Sequence, residues 1–227
     1  MLSSWNLKFQ AIDTEVWSEA VKDLERLGIS RPPAVVVGDR AVSGWNPKGI
    51  AELVGREFHA PEKPAPKELA RLLDTILAAA QRAIRQFSVE QLKIKPPGRD
   101  RNVRHLGYHV FRVALAYADA REHGTLSAEW FEVNPPAEMI AGEDIARFGQ
   151  TVREYLVQRL QQDDAFVGEV DTYYGKQTAP ELFERTVWHA AQHLRQLYAL
   201  LKGMGITPAD PLPESELKVL PLPENLW

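Results

Sequence analysis

Two histidine pairs carry the chemistry that can be read from this sequence. His189 and His193 lie four residues apart in "ERTVWHAAQHLRQLYALL", and His105 and His109 repeat that spacing in "RNVRHLGYHVFRV". On an α-helix a four-residue step leaves two side chains only about 40° apart around the axis, on consecutive turns. Two imidazoles placed in this way can reach one ion. The chain contains no cysteine, which removes disulfides, thiolate ligands and a cysteine nucleophile, so any metal must be held by nitrogen or oxygen donors.

The residues around the pair sharpen this reading. Leu182, His189, His193, Gln196 and Leu200 form one helical seam, with leucines at both ends and polar groups between them. A buried polar group left unsatisfied costs about 1 to 3 kcal/mol, and either coordination or hydrogen bonding within the layer removes that cost. In the other segment the apolar stripe Val103, Leu106, Val110, Val113 and Tyr117 runs closer to His109 than to His105. His109 is therefore expected to point inward and His105 to sit at the rim. Three imidazoles with a vacant fourth position suit zinc, and also nickel. The competing reading is a solvated or hydrogen-bonded pair, since an H-x-x-x-H spacing also arises by chance, and Ala190 stands where a zincin helix needs glutamate. Tyr108 and Trp188 adjoin the candidate ligands and are candidates for a pocket wall, although packing also accounts for such aromatics. Arg104, Arg112, Arg185 and Arg195 share these segments, where arginine is ordinarily solvated charge. No catalytic side chain is assigned.

The elements that must position these groups follow from the hydrophobic period. Leu69, Leu72, Leu73, Ile76, Leu77, Ala80 and Ile84 recur at three- and four-residue steps, as on a helix with one buried face. Similar patterns run through 101–124, stopping at Gly124, through 143–161, and from Ala179 to Gly203. Four long helices suggest a four-helix bundle over 66–204. Residues 59–65 belong to a proline-rich linker, and 205–227 form a proline-rich tail expected to lie extended, with Trp227 as its anchor. Residues 1–58 read as a small α/β segment. In it "LKFQAID" alternates like a strand, a helix ends at Gly28, two strands flank a Gly38-Asp39 turn, and a short helix starts with Asn46 as its cap. The predicted class is mainly α with a small N-terminal α/β domain.

Composition narrows the partners. The 227 residues are 44% hydrophobic and 26% charged, with a formal charge of -4, so there is no electrostatic footprint for nucleic acid or an anionic membrane. No apolar run of about 18 residues occurs, and the first residues lack the pattern of a secretory signal. A cytoplasmic protein with a small-molecule substrate is the expectation.

The segments "RNVRHLGYHVFRV", "EVDTYYGKQTAPEL" and "ERTVWHAAQHLRQL" together resemble the DinB/YfiT superfamily of metal-binding bundles, over roughly Pro66 to Gly203. The resemblance implies one metal histidine on the second helix and a pair on the last, which fall on His109, His189 and His193, with Gln196 as the glutamine three positions after the pair. It also implies transferases or isomerases that use a low-molecular-weight thiol such as bacillithiol, mycothiol or glutathione. The alternative is a non-catalytic metal-binding or scaffold protein. The stretch from Leu27 to Gly55 is similar to the later half of a glutaredoxin or thioredoxin-like domain, in which Pro33 and Gly44 match the proline and glycine that hold a thiol ligand. With no cysteine these positions are vestigial, and thiol-disulfide exchange is excluded. Such a partial sheet, whether a truncated remnant or the end of a longer protein, would expose an edge, for which a homodimer is the expected solution.

Overall fold

A computed structural model describes residues 2, 5, 7–12, 14, 17–29, 33–43, 46–57, 64–96, 99–223 and 226, with backbone alone at 18 and 43. The chain forms two compact units, Met1–Lys63 and Pro64–Trp227.

In the first unit, α1 (Ser18–Arg26) is followed by Gly28 with φ 75°. Strands β1 (Ala34–Val37) and β2 (Arg40–Ser43) pair antiparallel in the register Val37↔Arg40 around a turn whose Gly38 has φ 63°, a conformation open to glycine at no steric cost. Helix α2 (Pro47–Leu53) is capped by Asn46, whose side chain accepts from the Gly49 N–H at 2.8 Å. Ile29, Ile50, Ala51 and Leu53 are buried. Residues 7–12 do not form the strand that their alternation suggests. They have no regular secondary structure, and Phe9 and Ile12 are exposed. Alternation alone does not hold a strand that has no neighbour to pair with. Pro33 is exposed just before β1, while Gly44 lies outside the described residues.

The second unit runs α3 (Pro66–Arg85), α4 (Val89–Leu92), α5 (Val103–His123), β3 (Thr125–Leu126), a 3-10 turn (Ala128–Phe131), α6 (Gly142–Arg159), β4 (Glu169–Thr172), β5 (Gly175–Thr178), α7 (Ala179–Gly203) and α8 (Glu214–Leu217). The long helices pack around one core, with α3 and α5 each lying against both α6 and α7. Helix α6 approaches closely because it carries glycine at the contacts. A Cβ on Gly142 would collide with the Ile84 carbonyl, and one on Gly149 with the Phe111 ring.

Two features align α5 with α7. Helix α5 ends in Gly124, which adopts the left-handed conformation and turns the chain directly into β3. Helix α7 begins directly after β5 with a capping box, in which Thr178 and Glu181 satisfy each other's backbone N–H groups, and Pro180 sits in the first turn. Strand β4 joins the two ends, parallel to β3 and antiparallel to β5. His109 lies fourteen residues before His123 at the tied end of α5, and His193 lies fourteen residues after Ala179 at the tied end of α7. At a common rise per residue the two side chains come to the same level.

The tail is not simply extended. It contains α8, and Leu212, Leu217 and Leu220 are buried against the helical core. Beyond α8 it is fastened to α7: Trp188 Nε1 donates to the Pro221 carbonyl at 3.1 Å, Arg195 Nη1 to that of Pro223 at 2.7 Å, and Gln192 Nε2 to that of Leu226 at 2.9 Å. Trp227 lies outside the described residues. Among the described residues no helix is long and apolar enough to cross a membrane.

Candidate metal centre

The levelled helices bring three imidazoles together. The ring centres of His109 and His193 are 4.9 Å apart, those of His109 and His189 5.4 Å, and those of His189 and His193 4.6 Å. One nitrogen from each ring lies within 4.8 Å of the other two. Tetrahedral zinc at about 2.1 Å from each nitrogen needs separations of about 3.4 Å. Closing that gap takes ring movements on the order of an ångström, within reach of small χ rotations. Among the described residues no other group of three or more His, Asp or Glu side chains converges in this way.

The electrostatics leave all three rings neutral. Burial holds His109 well below the ordinary imidazole range, helped by His193 and Arg101 and opposed by a hydrogen bond to the Phe131 backbone. Burial does the same for His189, reinforced by His193, His109, Arg185 and Arg101. His193 is lowered to about 4, chiefly by burial, against the opposing effect of Gln196. His193 keeps some exposed surface as a residue, but its Nε2 is enclosed and has no hydrogen-bond partner. A neutral imidazole with an enclosed, unpartnered nitrogen is the form that binds a metal.

The tautomer of His193 follows from its neighbours. Gln196 Nε2 donates to the Leu226 carbonyl at 2.6 Å, so Gln196 Oε1 is the atom facing His193 Nδ1, 2.7 Å away. An amide oxygen only accepts, so Nδ1 carries the proton and Nε2 keeps its lone pair. These contacts are of the kind that orients metal-ligating histidines. Gln196→Leu preserves bulk while removing both hydrogen bonds, and is expected to lower metal affinity about 10- to 100-fold with helical content unchanged. Competition against a chelator of known strength checks this. An unaltered affinity would mean that the amide does not orient the ring.

Of the other expected site residues, His105 and Tyr108 make their contacts outside the cluster, while Trp188 lies beside it. His105 is partly buried outside it, with Nδ1 2.6 Å from Asn102 Oδ1, the atom that also caps α5. Tyr108 stacks on Phe148 at 4.9 Å, which makes it a packing residue between α5 and α6. Trp188 lies 6.4 Å from His189 by ring centres, and its indole N–H is used to hold the tail. Phe131, which sequence reasoning missed, does line the centre, 6.4 Å from His109 and 6.0 Å from His189, and Tyr173 packs behind it at 6.1 Å. It sits on a four-residue 3-10 turn, too short to show a period. Shallow depressions along α6, around Phe148 and around Arg153, contain none of the triad.

The chain is thus mostly helical, with a histidine triad positioned to hold a metal ion. No protein-family model matches the chain, and no curated protein matches it either.

Proposed function

We propose that this chain is a DinB-like metal protein that holds a divalent ion, zinc or nickel, between His109, His189 and His193 and activates a low-molecular-weight thiol, or water, for transfer to a small electrophile. The observation that carries the reading is the three-nitrogen cluster, in which His193 Nε2 is enclosed, deprotonated and without a partner. A bound divalent ion supplies Lewis acidity, which lowers the pKa of a thiol or water in its remaining coordination position.

The chain's own residues favour the thiol. Three neutral ligands leave the full charge of the ion uncompensated, and no carboxylate is among the groups that shift the three rings. The histidines are committed as ligands, so no general base stands in the cluster. A thiol, with a free pKa of about 8.5, needs far less help to ionise than water at about 15.7. Phe131 packs beside His109 and His189 on the side of the 3-10 turn. In the same reading, the first unit is a partial glutaredoxin-like module that favours a homodimer.

The test is elemental analysis of untagged protein, followed by consumption of glutathione or bacillithiol with an aryl halide as electrophile. Metal-dependent turnover, lost in a folded His193→Ala variant, supports the proposal. Stoichiometric metal without turnover of thiol or water reduces the protein to a non-catalytic metal binder, and absence of metal overturns both readings.

A further inference from the structure

Five arginines share the helices of the triad, Arg104, Arg112, Arg121, Arg185 and Arg195, and four are already engaged. Arg104 donates to the backbone carbonyls of Met139 at 2.6 Å, Pro135 at 3.3 Å, and Pro136. Arg112 pairs with Asp119 at 2.7 Å. Arg195 donates to Gln192 Oε1 at 2.9 Å and to the Pro223 carbonyl at 2.7 Å. Arg185 differs. Its guanidinium carbon lies 3.9 Å above the centre of the Tyr174 ring, its Nη1 is enclosed without a hydrogen-bond partner, and no carboxylate of the described residues forms an ion pair with it. Arg121 also has an enclosed, unpartnered nitrogen, Nε, but its Nη2 is engaged with the carbonyls of Asp164 and Val167.

Position makes Arg185 informative. Arg185, His189 and His193 follow one another at four-residue steps and form a single stripe on α7. Each step is a rise of about 6 Å, a gap that a molecule of about four carbons can span. Tyr174 holds the guanidinium from one side by cation–π attraction without using its N–H donors. An enclosed cationic N–H left without an acceptor is costly, and a carboxylate is the acceptor whose geometry it fits. Arg101 is exposed just before α5 and, with Arg185, is close enough to influence His189, and no acidic group opposes them there. The local field is therefore positive on a chain whose formal charge is -4.

We infer that the ligand admitted to the triad carries a carboxylate, and that Arg185 receives it through Nη1 while the other end of the ligand reaches the histidines. This deepens the proposed function and rests on it only for what happens at the histidine end.

The test uses the full chain loaded with cobalt(II), whose thiolate charge-transfer absorption reports arrival of a thiol. Two probes of equal length are compared, 3-mercaptopropionate and 3-mercapto-1-propanol. The carboxylate is expected to bind about tenfold or more tightly than the alcohol, as for a charge-assisted hydrogen bond, with the preference shrinking as salt is raised. Arg185→Gln is expected to abolish the preference while affinities for cobalt and for the alcohol stay the same. Equal affinities in the native protein, or a preference that survives Arg185→Gln, overturn the inference and leave the metal reading intact. A protein that takes up no cobalt overturns the metal reading instead. The inference is then decided on metal-free protein by titrating propionate against 15N-labelled arginine side chains. Movement of the resonance missing from Arg185→Gln supports it, and a stationary resonance overturns it.

Discussion

His109→Ala is expected to weaken divalent-ion binding by more than about 100-fold, beyond the 10- to 100-fold typical of losing a contact to a ligand rather than a ligand itself. His189 and His193 come from one helix and supply two nitrogens, whereas His109 supplies the third from α5 and closes the site. Without it an ion would keep only two protein ligands, and solvent would take the rest. His109 is only 8% exposed, so alanine also leaves a cavity, and metal-free native protein is the proper reference for folding. His105→Ala provides the control, because His105 binds Asn102 outside the cluster and its loss should leave the ion in place. Elemental analysis after dialysis against a weak chelator reads both variants. Equal metal in His109→Ala and native protein would remove His109 from the site.

The second large effect is on acid stability. Metal-free protein is expected to lose stability as pH falls from about 6.5 to about 4. In the unfolded chain the three imidazoles titrate near about 6.5, whereas the folded protein holds His193 at about 4 and His109 and His189 well below their ordinary range, chiefly by burial. Within that window the unfolded chain takes up protons that the folded one refuses, so acid favours unfolding. The contribution is complete above about 6.5 and declines as pH falls towards the folded value. For His193 alone, the fall from about 6.5 to about 4 corresponds to roughly 3 kcal/mol. Urea midpoints at pH 7 and pH 5 in the presence of chelator measure the effect. A midpoint independent of pH would show that the rings are solvated rather than enclosed. Bound metal should shift the fall to lower pH, because the ion and the proton compete for the same lone pairs.

Much of the helical architecture was legible because it is written in local signals. The apolar period of 66–85, the glycine at 124 and the periodic run from Ala179 to Gly203 each mark a helix or its end without reference to distant residues. The shared face of His189 and His193 follows from their spacing alone, and the apolar stripe of α5 separates the inward His109 from the rim His105. What was not legible depends on pairing between distant segments. Nothing in "EVDTYYGKQT" states that β4 lies parallel to β3 and so levels His109 with His193. Phe131 lies on one turn of 3-10 helix, and the isolation of Arg185 appears only once the partners of Arg104, Arg112 and Arg195 are known. Two local signals misled. The alternation in residues 7–12 forms no strand, and the prolines of the tail concealed leucines that join the core.

The origin of the three nitrogens, two on one helix and one on its neighbour, has a consequence for ion choice. His189 and His193 act as the fixed jaw of a calliper, because helical pitch sets the spacing of their backbone positions and leaves only small χ rotations to adjust the rings. His109 is the sliding jaw, and its travel is the gap between α5 and α7. The ionic radius that such a triad would accept is set by how tightly those two backbones pack, so enlarging a small residue between them would retune selectivity without touching a single histidine.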